Sequence, residues 1–74
     1  MDIKIGFTDS PRELTIATDA SQDEVRAKVA AALEAESGVL ELSDDRGRQY
    51  LVRNSRIAYV EIGAANARTV GFIG

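Results

Sequence analysis

Apolar and polar positions change their period along the chain, and each change marks an element. From Asp2 to Phe7 they alternate, Ile3, Ile5 and Phe7 against Asp2, Lys4 and Gly6, which predicts a half-buried strand. The turn residues Thr8-Asp9-Ser10-Pro11 follow, and alternation resumes from Arg12 to Thr18 with Leu14 and Ile16 inward. With Phe7 opposite Arg12 across a four-residue loop, Ile5 faces Leu14 and Ile3 faces Ile16, so the two apolar sets match in one hairpin. Between Ser21 and about Glu36 the period lengthens to that of a helix, with Val25, Val29, Ala32 and Leu33 on one stripe. Ser21 and Glu24 have the spacing of a capping box, and Ser37-Gly38 offers a left-handed stop.

A second hairpin begins after Gly38. Val39–Ser43 leads into Asp44-Asp45-Arg46-Gly47, a turn with Gly47 in the left-handed position, which sets Leu42 opposite Tyr50, Leu40 opposite Val52 and Glu41 opposite Leu51. A short turn at Asn54-Ser55 then predicts a third strand of a meander, with Arg53 level with Arg56, Val52 with Ile57 and Tyr50 with Tyr59. The inner face in that register is Leu40, Leu42, Tyr50, Val52, Ile57 and Tyr59. The opposite face carries Val39, Leu51, Ala58, Val60 and Ile62, too apolar to be left in water. In the tail, 64–74, the residues Val70, Phe72 and Ile73 suit a last edge strand. The whole predicts an α+β fold of order β-β-α-β-β-β, with an optional sixth strand, in which one helix lies on one face of a single, largely antiparallel sheet.

Length bounds what such a chain can bury. Its 74 residues make one small domain, 1–74, that buries only roughly 60 per cent of its unfolded surface, so a second apolar face points to association. No apolar run approaches the ~20 residues of a membrane span, and the first residues lack a signal-peptide pattern, so a cytoplasmic location and no membrane partner are expected. Cysteine and histidine are both missing. That excludes Cys/His zinc sites, thiol nucleophiles, Ser-His-Asp triads and imidazole bases. No catalytic, cofactor or metal residues are assigned, and no enzyme activity is expected.

Four of the nine basic residues, Arg46, Arg48, Arg53 and Arg56, fall in one acid-free stretch that also holds Tyr50 and Tyr59. Guanidinium groups beside aromatic rings suit phosphate and base contacts, so this arginine-rich hairpin is a candidate site for ATP or nucleic acid. Against it stand the net charge of −3 and the assignment of both tyrosines to the core, which disfavour nucleic acid as a partner. Asp44-Asp45 lacks the spaced oxygen ligands of a calcium loop and is read as a turn. None of the six glycines belongs to a phosphate-binding fingerprint. Glu61 shares the predicted inner face with Tyr59; it is exposed at the sheet margin or, if buried, is paired with Arg68 or Lys4.

The segments IKIGFTDSPREL, DDRGRQYLV and SRIAYVEIGAANARTVGF together resemble a family of small actinobacterial proteins, domain of unknown function 3107, over about Ile3 to Phe72. The resemblance implies an actinobacterial, cytoplasmic origin and no established activity, with an ATP-binding label on some members. No residue role comes with it. The expected function is a non-enzymatic protein-interaction or self-association module, a homodimer built on Val39, Leu51, Ala58, Val60 and Ile62 or on the edge formed by the tail, or a complex with another protein. Nucleotide or nucleic-acid binding by the arginines is the alternative.

Overall fold

A computed structural model describes residues 1–63. The strand expected at Val70–Ile73 lies outside the described residues. In chain order come β1 (Asp2–Phe7), β2 (Ser10–Ala17), α1 (Gln22–Glu34), β3 (Val39–Ser43), β4 (Gln49–Arg53), a single 3-10 turn (Asn54–Arg56) and β5 (Ile57–Ile62). The fold is α+β, with one helix packed against antiparallel strands. The strands form two sheets rather than the single one expected: a three-stranded sheet in the order β2-β1-β5, and a two-stranded ribbon β3-β4.

The hairpins follow the alternation. In the first, Ile3 lies opposite Ile16 and Ile5 opposite Leu14, as matched apolar sets require. Only its tip differs, because Phe7 pairs with Ser10 and not Arg12 after a register shift at Gly6/Phe7. In the ribbon, Leu40 faces Val52, Glu41 faces Leu51 and Leu42 faces Tyr50, and Gly47 takes φ +85° at the turn. The helix starts where its cap predicts: Ser21 Oγ accepts from the Glu24 amide at 3.1 Å, and Glu24 Oε1 accepts from the Ser21 amide at 3.2 Å.

The end of α1 differs from expectation. It stops at Glu34, and Gly38, with φ +104°, turns the following loop into β3 rather than closing the helix. The closing group is Asn54, whose Nδ2 donates to the carbonyls of Ala35 and Ser37, both at 3.0 Å. The apolar stripe is narrower as well. Val25, Val29 and Ala32 are buried, but Leu33 sits about 100° round from Ala32 and is 49% exposed.

The third strand of the expected meander pairs elsewhere. The 3-10 turn carries the chain away from β4, and β5 runs antiparallel to β1, with Ile62 opposite Ile3 and Val60 opposite Ile5. Val52 is therefore not the cross-strand partner of Ile57, nor Tyr50 that of Tyr59. Near its start β5 holds one extra residue, since Phe7 pairs with Ile57 and Gly6 with Tyr59, leaving Ala58 as the bulge. A bulge reverses strand parity, so Ile57 and Val60 both face the core while Tyr59 and Glu61 face out. The Tyr59 ring lies across Gly6, where a Cβ would collide with it.

The core joins all these elements. Ile3 and Ile5 of β1 have no exposed surface, Ile16 of β2 has 1%, and Val25, Val29 and Ala32 of α1, Leu40, Leu42 and Val52 of the ribbon, and Ile57 complete the buried set. Met1, Phe7, Leu14, Tyr50, Val60 and Ile62 pack around it. A backbone bond ties the ribbon tip to the larger sheet, Asp45 donating to the Ala17 carbonyl at 2.8 Å, and another ties the first hairpin to the 3-10 turn, Thr8 donating to the Arg56 carbonyl at 3.0 Å. Because Ile5 touches a filled interior, Ile5→Ala is expected to cost roughly 2–5 kcal/mol, a large part of the stability of so small a domain. Urea unfolding with an unchanged m-value checks this, and a loss below about 1 kcal/mol contradicts the placement of Ile5.

Candidate functional site

Polar chemistry concentrates at the tip of the β3-β4 ribbon, around Asp44. Its Oδ1 accepts from the backbone amides of Arg46 at 2.9 Å and Arg48 at 2.8 Å, and its Oδ2 accepts from Arg48 Nε at 3.0 Å and the Tyr50 hydroxyl at 3.2 Å. The side chain is only 5% exposed. Burial by itself raises the carboxyl pKa, but the hydrogen bonds from the Arg48 and Arg46 amides, the Tyr50 hydroxyl and the Arg48 side chain outweigh it and hold Asp44 below the ordinary aspartate value. The turn that looked able to hold an external anion already holds an internal one.

The four arginines do not converge. Arg46 is in the turn and Arg48 just beyond it, Arg53 ends β4 at the other end of the ribbon, and Arg56 closes the 3-10 turn, where its guanidinium bonds Asp9 of the first hairpin. Arg48 and Arg56 are thus matched by Asp44 and Asp9. Tyr50 points toward the core side and Tyr59 toward the opposite face of the other sheet, so no aromatic pair stands beside the arginines. Among the described residues, no group of three or more acidic side chains is placed to hold a metal ion.

The face expected to carry self-association is divided by the bulge. Val60 and Ile62 pack inward, and Ala58 is exposed at the bulge of β5. Val39 and Leu51 remain, 51% and 67% exposed, as diagonal neighbours on the outer face of the ribbon. Their cross-strand partners there are Arg53, opposite Val39, and Glu41, opposite Leu51. Alternation had placed Val39 and Leu51 correctly; the charges beside them were legible in the same register.

Two further side chains, Glu61 and Tyr59, lie on the outer face of the larger sheet. Glu61 is exposed directly opposite Lys4, on the outer face of the larger sheet. On the same face the Tyr59 hydroxyl donates to the Glu13 carboxylate. That bond to the neutral phenol, followed by burial and the negative charges of Glu13 and Glu61, raises the Tyr59 pKa above its ordinary value. No helix among the described residues is long and apolar enough to cross a membrane.

An α+β domain with two antiparallel sheets, a single capped helix and polar groups that answer one another defines a small structural class without a recognisable catalytic centre among its described residues. The chain belongs to the family described as protein of unknown function DUF3107, which it matches over residues 1–73. No curated protein is significantly similar to it.

The Asp44 geometry sets an acid dependence. A carboxyl whose folded-state pKa lies below the unfolded value of about 3.9 contributes stability that is complete above that pH and is lost as the pH falls through the folded value. Asp44→Asn is therefore expected to destabilise the chain at neutral pH and to flatten the acid limb of its stability curve. Urea midpoints from about pH 2 to 7 test this; an acid limb as steep as in the wild type assigns the effect to other carboxylates. Tyr59 gives the opposite sign. Its raised pKa means that the Glu13 contact is complete below about pH 10 and is lost as the pH rises through the folded value. Gly6→Ala, by displacing the ring, is expected to return the Tyr59 titration toward the ordinary phenol range, read by ultraviolet absorbance; an unmoved titration contradicts the contact.

Proposed function

We propose that this chain is a non-enzymatic protein-interaction module that self-associates through the outer face of the β3-β4 ribbon. The observation that carries the reading is the exposure of Leu51 at 67% beside Val39, with Glu41 and Arg53 as their cross-strand partners. Those four positions form a square with apolar groups on one diagonal and opposite charges on the other. A two-fold axis in the plane of the face, along the Val39–Leu51 diagonal, sets Val39 on Val39 and Leu51 on Leu51 of a second copy. The same operation sets Glu41 over Arg53 twice. The patch is thus complementary to itself, which an isologous contact requires. The strands of the two ribbons would cross near a right angle, one of the two common ways for sheets to stack.

The patch is small. Five-residue strands are about 17 Å long, so the contact falls below the usual size of stable interfaces and a dissociation constant on the order of 0.1–1 mM is expected. The non-enzymatic part is supported by the state of the polar groups: the Asp44 oxygens are filled, the Tyr59 hydroxyl is committed to Glu13, and Glu61 stands exposed opposite Lys4. Binding of ATP or nucleic acid by the arginine hairpin has less support, because Asp44 and Asp9 already answer Arg48 and Arg56.

Sedimentation equilibrium over a wide concentration range tests the module. The wild type is expected to shift toward twice its 8.0 kDa mass at the highest concentrations, and Leu51→Lys to remain a folded monomer. Exchanging the charges in a Glu41→Arg/Arg53→Glu double variant should restore the association that either single change weakens. A wild type that stays monomeric at millimolar concentration overturns the face-to-face contact.

A further inference from the structure

A groove runs along the edge of β3 that β4 leaves free. It consists of two clefts end to end: one of about 520 Å³, where Lys28, Ala31 and Ala32 of α1 face Val39, Leu40 and Glu41, and one of about 120 Å³, where Glu24, Val25 and Lys28 face Leu42 and Ser43. Lys28 belongs to both. Every residue of β3 lines one cleft or the other, inward-facing and outward-facing alike, so what the groove exposes is the strand's edge. The hydrogen-bond parity agrees. The Asp44 amide donates to the Arg48 carbonyl and the Gly38 carbonyl accepts from the Asn54 amide, so even-numbered positions of this strand bond toward β4. The amides and carbonyls of Val39, Glu41 and Ser43 point the other way and have no backbone partner among the described residues.

Free edges are usually spoiled by proline, bulges or irregular register. β2 carries Pro11 and a register shift against β1 opposite Phe7, and β5 carries the Ala58 bulge. β3 and β4 have neither, their five pairs are regular, and of the two it is β3 whose residues line the clefts beside α1. An unspoiled edge beside a helix, over a floor of small side chains, is the geometry by which sheets take up an extended peptide as one more strand. Three charged side chains line the groove, Glu24, Lys28 and Glu41, and Lys28 is the one cation among them. The ion pairs among the described residues are Arg48–Asp44 and Arg56–Asp9, and Lys28 is in neither. The Glu24 carboxylate beside it accepts from the amide and hydroxyl of Ser21.

We propose that the α1-β3 groove captures an extended segment of a partner protein, added as a strand to β3, with β-branched side chains over the alanine floor and one carboxylate at Lys28. A second copy suits this edge less well: two β3 strands centred on one another place Glu41 opposite Glu41, and like charges directly across a ladder repel. The site is separate from the self-association face, since strand addition uses in-plane main-chain groups and the face uses side chains perpendicular to them.

The probe is the N-acetylated, C-amidated pentapeptide Thr-Val-Glu-Val-Thr, titrated into the ¹⁵N-labelled chain in both wild-type and Leu51→Lys forms, so that the outcome does not depend on dimer formation. Shifts and slowed exchange at the Val39, Glu41 and Ser43 amides are expected in both. Lys28→Glu, an exposed position, should weaken binding about fivefold, and a peptide with lysine in place of its glutamate should recover that loss on the variant. Glu41→Pro removes an outward amide without touching the β4 ladder, and should abolish binding while the dispersed spectrum of a folded chain persists. Three results would overturn the proposal: no response at these amides to millimolar peptide, a response confined to Leu51 and Arg53, or the same response to raised protein concentration without peptide.

Discussion

The position of β1 at the centre of its sheet governs the rest of the structure. Among the described residues it is the one strand with partners on both edges, and its two isoleucines are wholly enclosed. Both neighbours must therefore present apolar side chains at the positions opposite Ile3 and Ile5, because a strand out of phase by one residue turns its whole apolar set to the wrong face. β2 meets the demand through Ile16 and Leu14 with a ladder that is regular from Asp2 to Gly6. β5 meets it through Ile62 and Val60, but Ile57 must also be buried, and it lies three positions before Val60. An odd interval cannot lie on one face of a regular strand. The Ala58 bulge resolves the conflict, and Tyr59 is turned outward to lie over Gly6, the position on β1 without a side chain to obstruct it.

Alternation and turn chemistry read locally, and the elements they specify locally were legible. Both hairpin registers, the Ser21–Glu24 cap and the left-handed Gly47 all follow from neighbours a few residues apart. The partner of β5 was not legible for the same reason. Asn54-Ser55 reads as a hairpin turn, and β4 is the nearest strand in sequence, so alternation alone favours a meander. What decides against it is tertiary. Asn54 is occupied with the Ala35 and Ser37 carbonyls at the end of α1, which bends the chain into a 3-10 turn and sends β5 to β1. A single bulge then reversed the faces of Val60 and Ile62, and with them most of the expected association surface. Leu33 was misplaced by a smaller effect, the narrowness of a helical stripe wedged between β5 and β3.

The arginines illustrate a related limit of composition. A basic, acid-free stretch looks like an anion site only while its acids are counted along the chain. In space, Asp44 precedes the stretch by two residues and closes on Arg48, while Asp9 approaches Arg56 from the first hairpin. The ribbon tip is consequently stabilised as a turn by its own carboxylate, in the way short polar side chains commonly organise turns.

Placing β5 in the larger sheet also determines what remains open. Had β5 paired with β4, the ribbon would be three strands wide, and Ala58, Val60 and Ile62 would extend its outer face. With β5 withdrawn, the ribbon keeps five pairs, a small amphiphilic face and a regular edge along α1. Face and edge use orthogonal directions of the same strand: side chains of Val39 and Glu41 stand perpendicular to the sheet, and their amides and carbonyls lie within it. Contact through one therefore leaves the other available, so a dimer formed on the Val39–Leu51 diagonal would present two α1-β3 grooves related by the same two-fold axis. Each captured strand would then be tethered to a second, and weak grooves would gain avidity from a weak dimer whenever a partner carries two such segments within reach of both.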